Sequence, residues 1–203
     1  MSSSRNNILL LFSLIFLGCG SANVKIKSAQ TADIQITDSL TTRDNEIAGI
    51  IAPYKTELEK SMNQVLNNSD IDMVNGKPES LLGNFVSDLC LKMGHQIYVP
   101  ADDKPIDFCV LNNGGLRTSL PKGEITRGKI FELMPFENEL VVVTLSGEKT
   151  LELLNYIATE GGVPVSAIRM EIENNIAKNV FIHGKQFNPT ISYKILTSDY
   201  LAR

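Results

Sequence analysis

Between residues 47 and 66 apolar side chains recur every three or four positions, as Ile47, Ile50, Ile51, Tyr54, Leu58, Met62, Val65 and Leu66. That spacing predicts one face of an amphipathic helix of about five turns, with Asp44 placed to cap it. A second helix is expected from about Glu79 to Met93, burying Leu81, Leu82, Phe85, Val86, Leu89 and Met93 and ending at Gly94. Ile106 to Leu111 is a near-continuous apolar run, the pattern of a strand covered on both faces. Thr126 is placed to cap a short helix through Leu133, which Pro135 stops, and Leu140 to Leu145 reads as a strand. A helix over Gly147 to Thr159 turns Leu151, Leu154 and Ile157 inward. Ile168, Met170 and Ile172 then alternate with Arg169, Glu171 and Glu173, as in a half-exposed strand, and Asn174-Asn175 makes a turn. Val180 to His183 and Tyr193 to Thr197 supply two more strands. Helices interspersed with crossover and hairpin connections, without an internal repeat, predict a single mixed α/β domain with a mixed sheet and flanking helices.

The apolar run ending at Leu111 delivers the chain to Asn112-Asn113-Gly114-Gly115-Leu116-Arg117, and a second short run, Met134-Pro135-Phe136-Glu137-Asn138, follows the short helix. The first places two glycines and a fork-shaped cation at a strand's C-terminal edge, where ligands of α/β sheets usually lodge. The second places an aromatic ring beside a proline. Backbone N–H groups can approach a ligand closely at glycine, a guanidinium can pair bidentately with an anion, and a ring can stack on a π-face. The duller readings are a tight Asn-Gly turn, a solvated arginine and a phenylalanine that plugs the core. Neither run carries a nucleophile, general base or metal ligand.

Composition narrows the setting. The 203 residues, 43% apolar and 21% charged with a net charge of -4, suit one globular domain and lack the basic stripe that a nucleic acid polymer would favour. Arg5 followed by the apolar run Ile8 to Leu17 reads as a signal peptide. Its end, Leu17-Gly18-Cys19, resembles the lipobox of bacterial lipoproteins, which implies cleavage after residue 18 and acylation of Cys19. A plain secretory leader is the alternative. The expected organisation is thus a leader over 1–18, a polar tether over 19–43 and a domain over 44–203, held to the bacterial cell envelope by a lipid anchor at the outer membrane or its periplasmic face. Cys90 and Cys109 are either buried thiols or, in an oxidising envelope, a pair. His95 and His183 stand without a clustered carboxylate at ligand spacing, so no metal site is expected in this chain.

From about Asn45 to Ala202 the chain resembles the C-terminal domain of the 5'-nucleotidases, the family that includes UDP-sugar hydrolases. The segments that carry the likeness run in the family's order: Glu79 to Asn84, Asn112 to Arg117, Gly123 to Thr126, Met134 to Val143, Gly161 to Ser166, and Thr197 to Ala202. The resemblance implies a domain that binds the nucleoside part of a nucleotide, while hydrolysis takes place on a separate metallophosphatase domain with two metal ions. Phe136 and Tyr200 would then sandwich the base. Asn112 and Gly114 would face the base or ribose, Arg117 would lie toward the phosphate-bearing end, and Asn138 would hydrogen-bond the base.

Two departures modify that expectation. Where the family carries an arginine just before the Glu79 segment, this sequence has Lys77-Pro78, and Lys77 is the candidate replacement. Where the family continues past Ala202 with Gly-Gly-Asp-Gly, the sequence reads Arg203, which takes away an acidic ribose partner. The expectation is a nucleotide-recognition chain of a split hydrolase, with two divalent metal ions on a separate metallophosphatase polypeptide. The alternatives are a stand-alone nucleotide-binding lipoprotein and a truncated remnant.

Overall fold

Strand β9 (Tyr193–Ser198) is buried at every position, and the reason is its place in the middle of a mixed sheet. It pairs antiparallel with β4 (Leu140–Leu145) and parallel with β2 (Phe108–Val110), and β2 pairs antiparallel with β5 (Val165–Ser166). Along β2 the side chains alternate between two cores. Phe108 and Val110 join Leu154, Ile157, Tyr193 and Ile195, whereas Cys109 joins Leu82, Val86, Ile106 and Leu196. A strand with a hydrophobic cover on each face needs apolar residues at consecutive positions, which is why the run 106–111 does not alternate.

The computed structural model describes residues 26–33 and 44–203. The leader, Cys19 and most of the tether lie outside the described residues. Residues 45–203 form one unit with four helices: α1 (Asn45–Met62), α2 (Leu81–Ile97), α3 (Arg127–Leu133) and α4 (Gly147–Thr159). Besides the central sheet, β1 (Val65–Ser69) pairs with β3 (Gly123–Thr126), and β6 (Ile168–Glu173), β7 (Ile176–Ile182) and β8 (Lys185–Gln186) form a meander. Several ends follow from caps: Ser80 accepts from Gly83 N, Thr126 from Lys129 N and Ser146 from Lys149 N.

Helix α2 corrects the expected burial. It buries Leu82, Gly83, Val86, Ser87, Leu91 and Gly94, while Leu81, Phe85, Leu89 and Met93 stay exposed. The helix is apolar over much of its circumference, so period alone could not choose a face; close approach chose it. A Cβ on Gly94 would stand 2.8 Å from a Leu196 methyl and 3.1 Å from one of Ile106. Ser87 Oγ donates to the carbonyls of Gly83 and Val165 at 2.8 Å. Gly94 therefore lies inside the helix as a contact point, and the helix runs on to Ile97. Leu151 on α4 is likewise exposed, whereas Leu154 and Ile157 are buried.

Helix α1 forms over the expected residues, yet none of them is buried, and Val65 and Leu66 belong to β1. The thiols of Cys90 and Cys109 are free. Burial pushes both above the ordinary thiol range, Cys109 the further because Cys90 and Asp88 add to it. Near the start of β9, buried Lys194 is fully engaged. Its ammonium donates to Asp102, to the Lys104 carbonyl at 3.2 Å and to Tyr98 at 3.4 Å, and its backbone N–H donates to Asp107 at 2.7 Å. The hydrogen bond to Lys194 holds the Asp102 carboxyl below its usual range, and the same bond raises Lys194.

Candidate functional site

At the other end of β9 three chain segments converge, and backbone bonds bring them together. Beyond β2, residues Asn113–Gly115 make a single 3-10 turn, closed by Gly115 N to Asn112 O and Leu116 N to Asn113 O. Arg117 N donates to Leu133 O at 2.8 Å, so this turn lies against the end of α3, from which Pro135 and Phe136 emerge. The β4–β9 register pairs Leu140 with Ser198, and beyond it Glu139 and Asp199 exchange bonds: Asp199 N to Glu139 O at 2.9 Å, Glu139 N to Asp199 Oδ1 at 3.1 Å. Phe136 and Asn138 on one side and Tyr200 on the other are thus fixed to one edge of the sheet.

The glycines of the first segment serve close approach, not a left-handed backbone. Neither Gly114 nor Gly115 has a positive φ. The Asn112 side chain folds back over them, so a Cβ would meet its amide at 3.4 Å from Gly114 and 3.2 Å from Gly115. The segment is a tight turn, and its glycines make room for the Asn112 side chain. Asn113 anchors the turn from below, donating to Gly162 O at 2.9 Å and accepting from Asn75 at 3.3 Å. Its own Oδ1 is buried without a partner among the described residues. Gly162 (φ +103°) does require glycine, because a Cβ there would fall 2.1 Å from Pro78 O.

A cavity of about 790 Å³ opens beside these segments. Asn112, Asn113, Gly114 and Tyr200 line it together with an apolar wall from Val143, Leu145, Leu153, Tyr156 and Ile195. Arg117, Phe136 and Asn138 are not among its lining residues. They are exposed next to it, Phe136 with 49% of its surface and Tyr200 with 64%. Among the described residues no ring contact joins Phe136 to Tyr200. Among the described residues the Arg117 guanidinium reaches the Gly114 carbonyl, at 3.4 Å, and the residue is exposed. Lys77 stands at the cavity wall, its ammonium on the Glu160 carbonyl and 3.7 Å from the Glu160 carboxylate.

The sequence reading did not single out Asn113 as the anchor, nor Tyr156 and the β4 and β9 side chains as the apolar wall. Their spacing along the chain is ordinary core spacing, and only the fold turns them toward one space. It also left His95 and His183 apart, whereas their rings lie 6.4 Å apart, with His95 Nε2 3.1 Å from the Ile106 carbonyl. Among the described residues no group of three or more His, Cys, Asp or Glu is placed to hold a metal ion.

Comparison with known proteins gives this edge its context. The sequence model of the 5'-nucleotidase C-terminal domain matches residues 61–203. A 5'-nucleotidase of Vibrio vulnificus is 31% identical over 165 residues, which is 78% of this chain and 29% of that protein. A trifunctional nucleotide phosphoesterase of Bacillus subtilis is 29% identical over 122 residues, 58% of this chain and 8% of that protein. The chain therefore spans less than a third of the length of these curated relatives. The solved 5'-nucleotidase precursor of Thermus thermophilus superposes with a TM-score of 0.60 at 25% identity, covering 78% of this chain and 34% of that one. With the match extending over most of the described unit, the chain belongs to the 5'-nucleotidase C-terminal domain family.

Proposed function

We propose that this chain recognises a nucleotide through its nucleoside part and presents it to a separate metallophosphatase polypeptide that hydrolyses the phosphate. The observation that carries the reading is the convergence of the Asn112–Arg117, Met134–Asn138 and Ser198–Ala202 segments on one sheet edge, joined by the Arg117–Leu133 and Glu139–Asp199 bonds. In this reading Asn112 and Gly114 face the base or ribose, and Phe136 and Tyr200 stack on the base. Asn138 hydrogen-bonds the base, and Arg117 lies toward the phosphate end. Lys77, which lines the cavity, adds a second cation. In this reading two divalent metal ions on the partner would clamp the attacking and leaving oxygens.

Acylation of Cys19 would tether the assembly to the cell envelope, with the polar residues 20–43 as the spacer. The cavity volume falls in the range of roughly 300–1,000 Å³ common for small-molecule sites, which favours binding by the isolated chain as well. Calorimetry with adenosine, AMP and UDP tests recognition, and phosphate release from AMP by a purified metallophosphatase, with and without the chain, tests the division of labour. Binding of at least one nucleoside together with a gain in release is expected. Binding without any gain would leave a stand-alone binding protein, and neither would end the reading.

A further inference from the structure

We propose that a second cavity, of about 540 Å³ and bounded by the start of α2 with β5 and β6, binds a small primary amine with an apolar body, its ammonium seated at Asp88 and Glu79. Val163 is the one residue that lines both this cavity and the one at the open end of β9, so the two are separate spaces. The volume lies in the range common for small-molecule sites. One wall is apolar, formed by Ile157 of α4 with Val163, Val165, Ile168, Met170 and Ile172. Such a wall suits the carbon skeleton of a ligand, because joining two apolar surfaces removes both from water.

The polar side of the cavity selects the charge. Apart from Arg169, each side-chain donor in the lining already gives a hydrogen bond inside the protein. Ser80 Oγ donates to Asn75 Oδ1 at 3.3 Å, Asn84 Nδ2 to Glu79 Oε1 at 2.7 Å, and the buried Ser166 Oγ to Asp88 Oδ1 at 2.5 Å. Each carboxylate is thereby held through one oxygen. The other, Glu79 Oε2 or Asp88 Oδ2, receives no hydrogen bond among the described residues, and neither carboxylate forms an ion pair there. Both residues are exposed. The Arg169 guanidinium is engaged elsewhere, 5.0 Å from the ring centroid of Phe181, which does not line the cavity. What is left to a ligand is a set of acceptors that carries negative charge. An ammonium matches it, since it offers three N–H donors, no acceptor and a positive charge. A hydrated divalent ion matches it less well, because such ions take six or more oxygen ligands, whereas much of this lining is apolar and the described residues present no group of three or more His, Cys, Asp or Glu placed for a metal.

Calorimetry of the full chain at neutral pH with hexylamine, hexanol, hexanoate and methylamine separates the charge from the wall. Hexylamine is cationic there and should bind. Hexanol and hexanoate should bind at least about tenfold more weakly for want of the ammonium, and methylamine more weakly for want of the apolar body. Asp88→Asn keeps an acceptor for Ser166 and removes the charge, so it should lose about tenfold in hexylamine affinity at an unchanged melting temperature. If that variant unfolds, Glu79→Gln, which keeps an acceptor for Asn84, takes its place with the same expectation. Hexanol or hexanoate binding as tightly as hexylamine, hexylamine affinity indifferent to both substitutions, or no binding of hexylamine at all overturns the site. Stabilisation by calcium chloride that Asp88→Asn abolishes, without binding of hexylamine, overturns it in favour of a metal ion. The nucleotide reading stands or falls separately, on the adenosine, AMP and UDP titrations.

Discussion

The two ends of β9 use the same strand for opposite ends. At its start, Lys194 is buried and its ammonium reaches Asp102, Tyr98 and the Lys104 carbonyl, while Tyr193 stacks on Phe187 at 5.4 Å between ring centroids. At its finish, Tyr200 is two-thirds exposed, Phe136 is half exposed, and Arg117 has a single long bond to a carbonyl. Polar groups at the closed end satisfy one another, as buried polar groups must. At the open end the backbone bonds of Arg117, Glu139 and Asp199 tie the segments together, and the side chains of Arg117, Phe136 and Tyr200 stay exposed. The contrast separates residues that stabilise the fold from residues available to a ligand.

Substitution at Gly162 should break that contrast most severely. Its backbone supports the open end through Asn113, and an alanine there combines a strained positive φ with a Cβ 2.1 Å from Pro78 O. The expected loss for Gly162→Ala is at least ~3 kcal/mol of stability, read by thermal or denaturant unfolding. Tyr200→Ala should sharpen it. With the ring exposed and the backbone bonds of Asp199, Leu201 and Ala202 kept, unfolding should be unchanged, while calorimetry should show nucleoside affinity falling by roughly 1–3 kcal/mol, the range of base–aromatic stacking.

The smallest effect belongs to the closed end and to pH. The folded-state shift of Asp102 is downward, so its contribution is present above the ordinary carboxylate range and is lost as pH falls through the lowered value. The shift of Lys194 is upward, so its contribution holds below the ordinary lysine range and is lost as pH rises through the raised value. Melting followed from neutral pH into acid should therefore show a shallow limb that Asp102→Asn flattens. Nucleoside affinity at neutral pH should not respond to that substitution.

Much of the fold was legible because local signals agreed. Leu140–Leu145 and Gly147–Thr159 form over the residues expected, with Ser146 between them as a cap. What periodicity could not resolve was α2, whose circumference carries two apolar stripes, since a glycine or serine at a tight helix–sheet contact outranks a larger hydrophobe there. Helix α1 was legible as an element, but its period could not tell that none of its residues is buried. In the site, the order of motifs marked the segments that meet. Local sequence could not reveal that Asn112, Gly114 and Tyr200 share a cavity wall while Arg117, Phe136 and Asn138 stand beside it, since those neighbours are set by the β4–β9 register.

That register has one more consequence. Phe136 and Tyr200 stand some sixty positions apart in the chain, yet each follows or precedes the paired Glu139 and Asp199 by only a few residues. The two segments that carry the rings are therefore tied to each other by strand pairing and by the Glu139–Asp199 bonds. In the proposed reading, fitting a larger or smaller base would fall to the choice of ring at 136 and 200, so selectivity could shift by single substitutions.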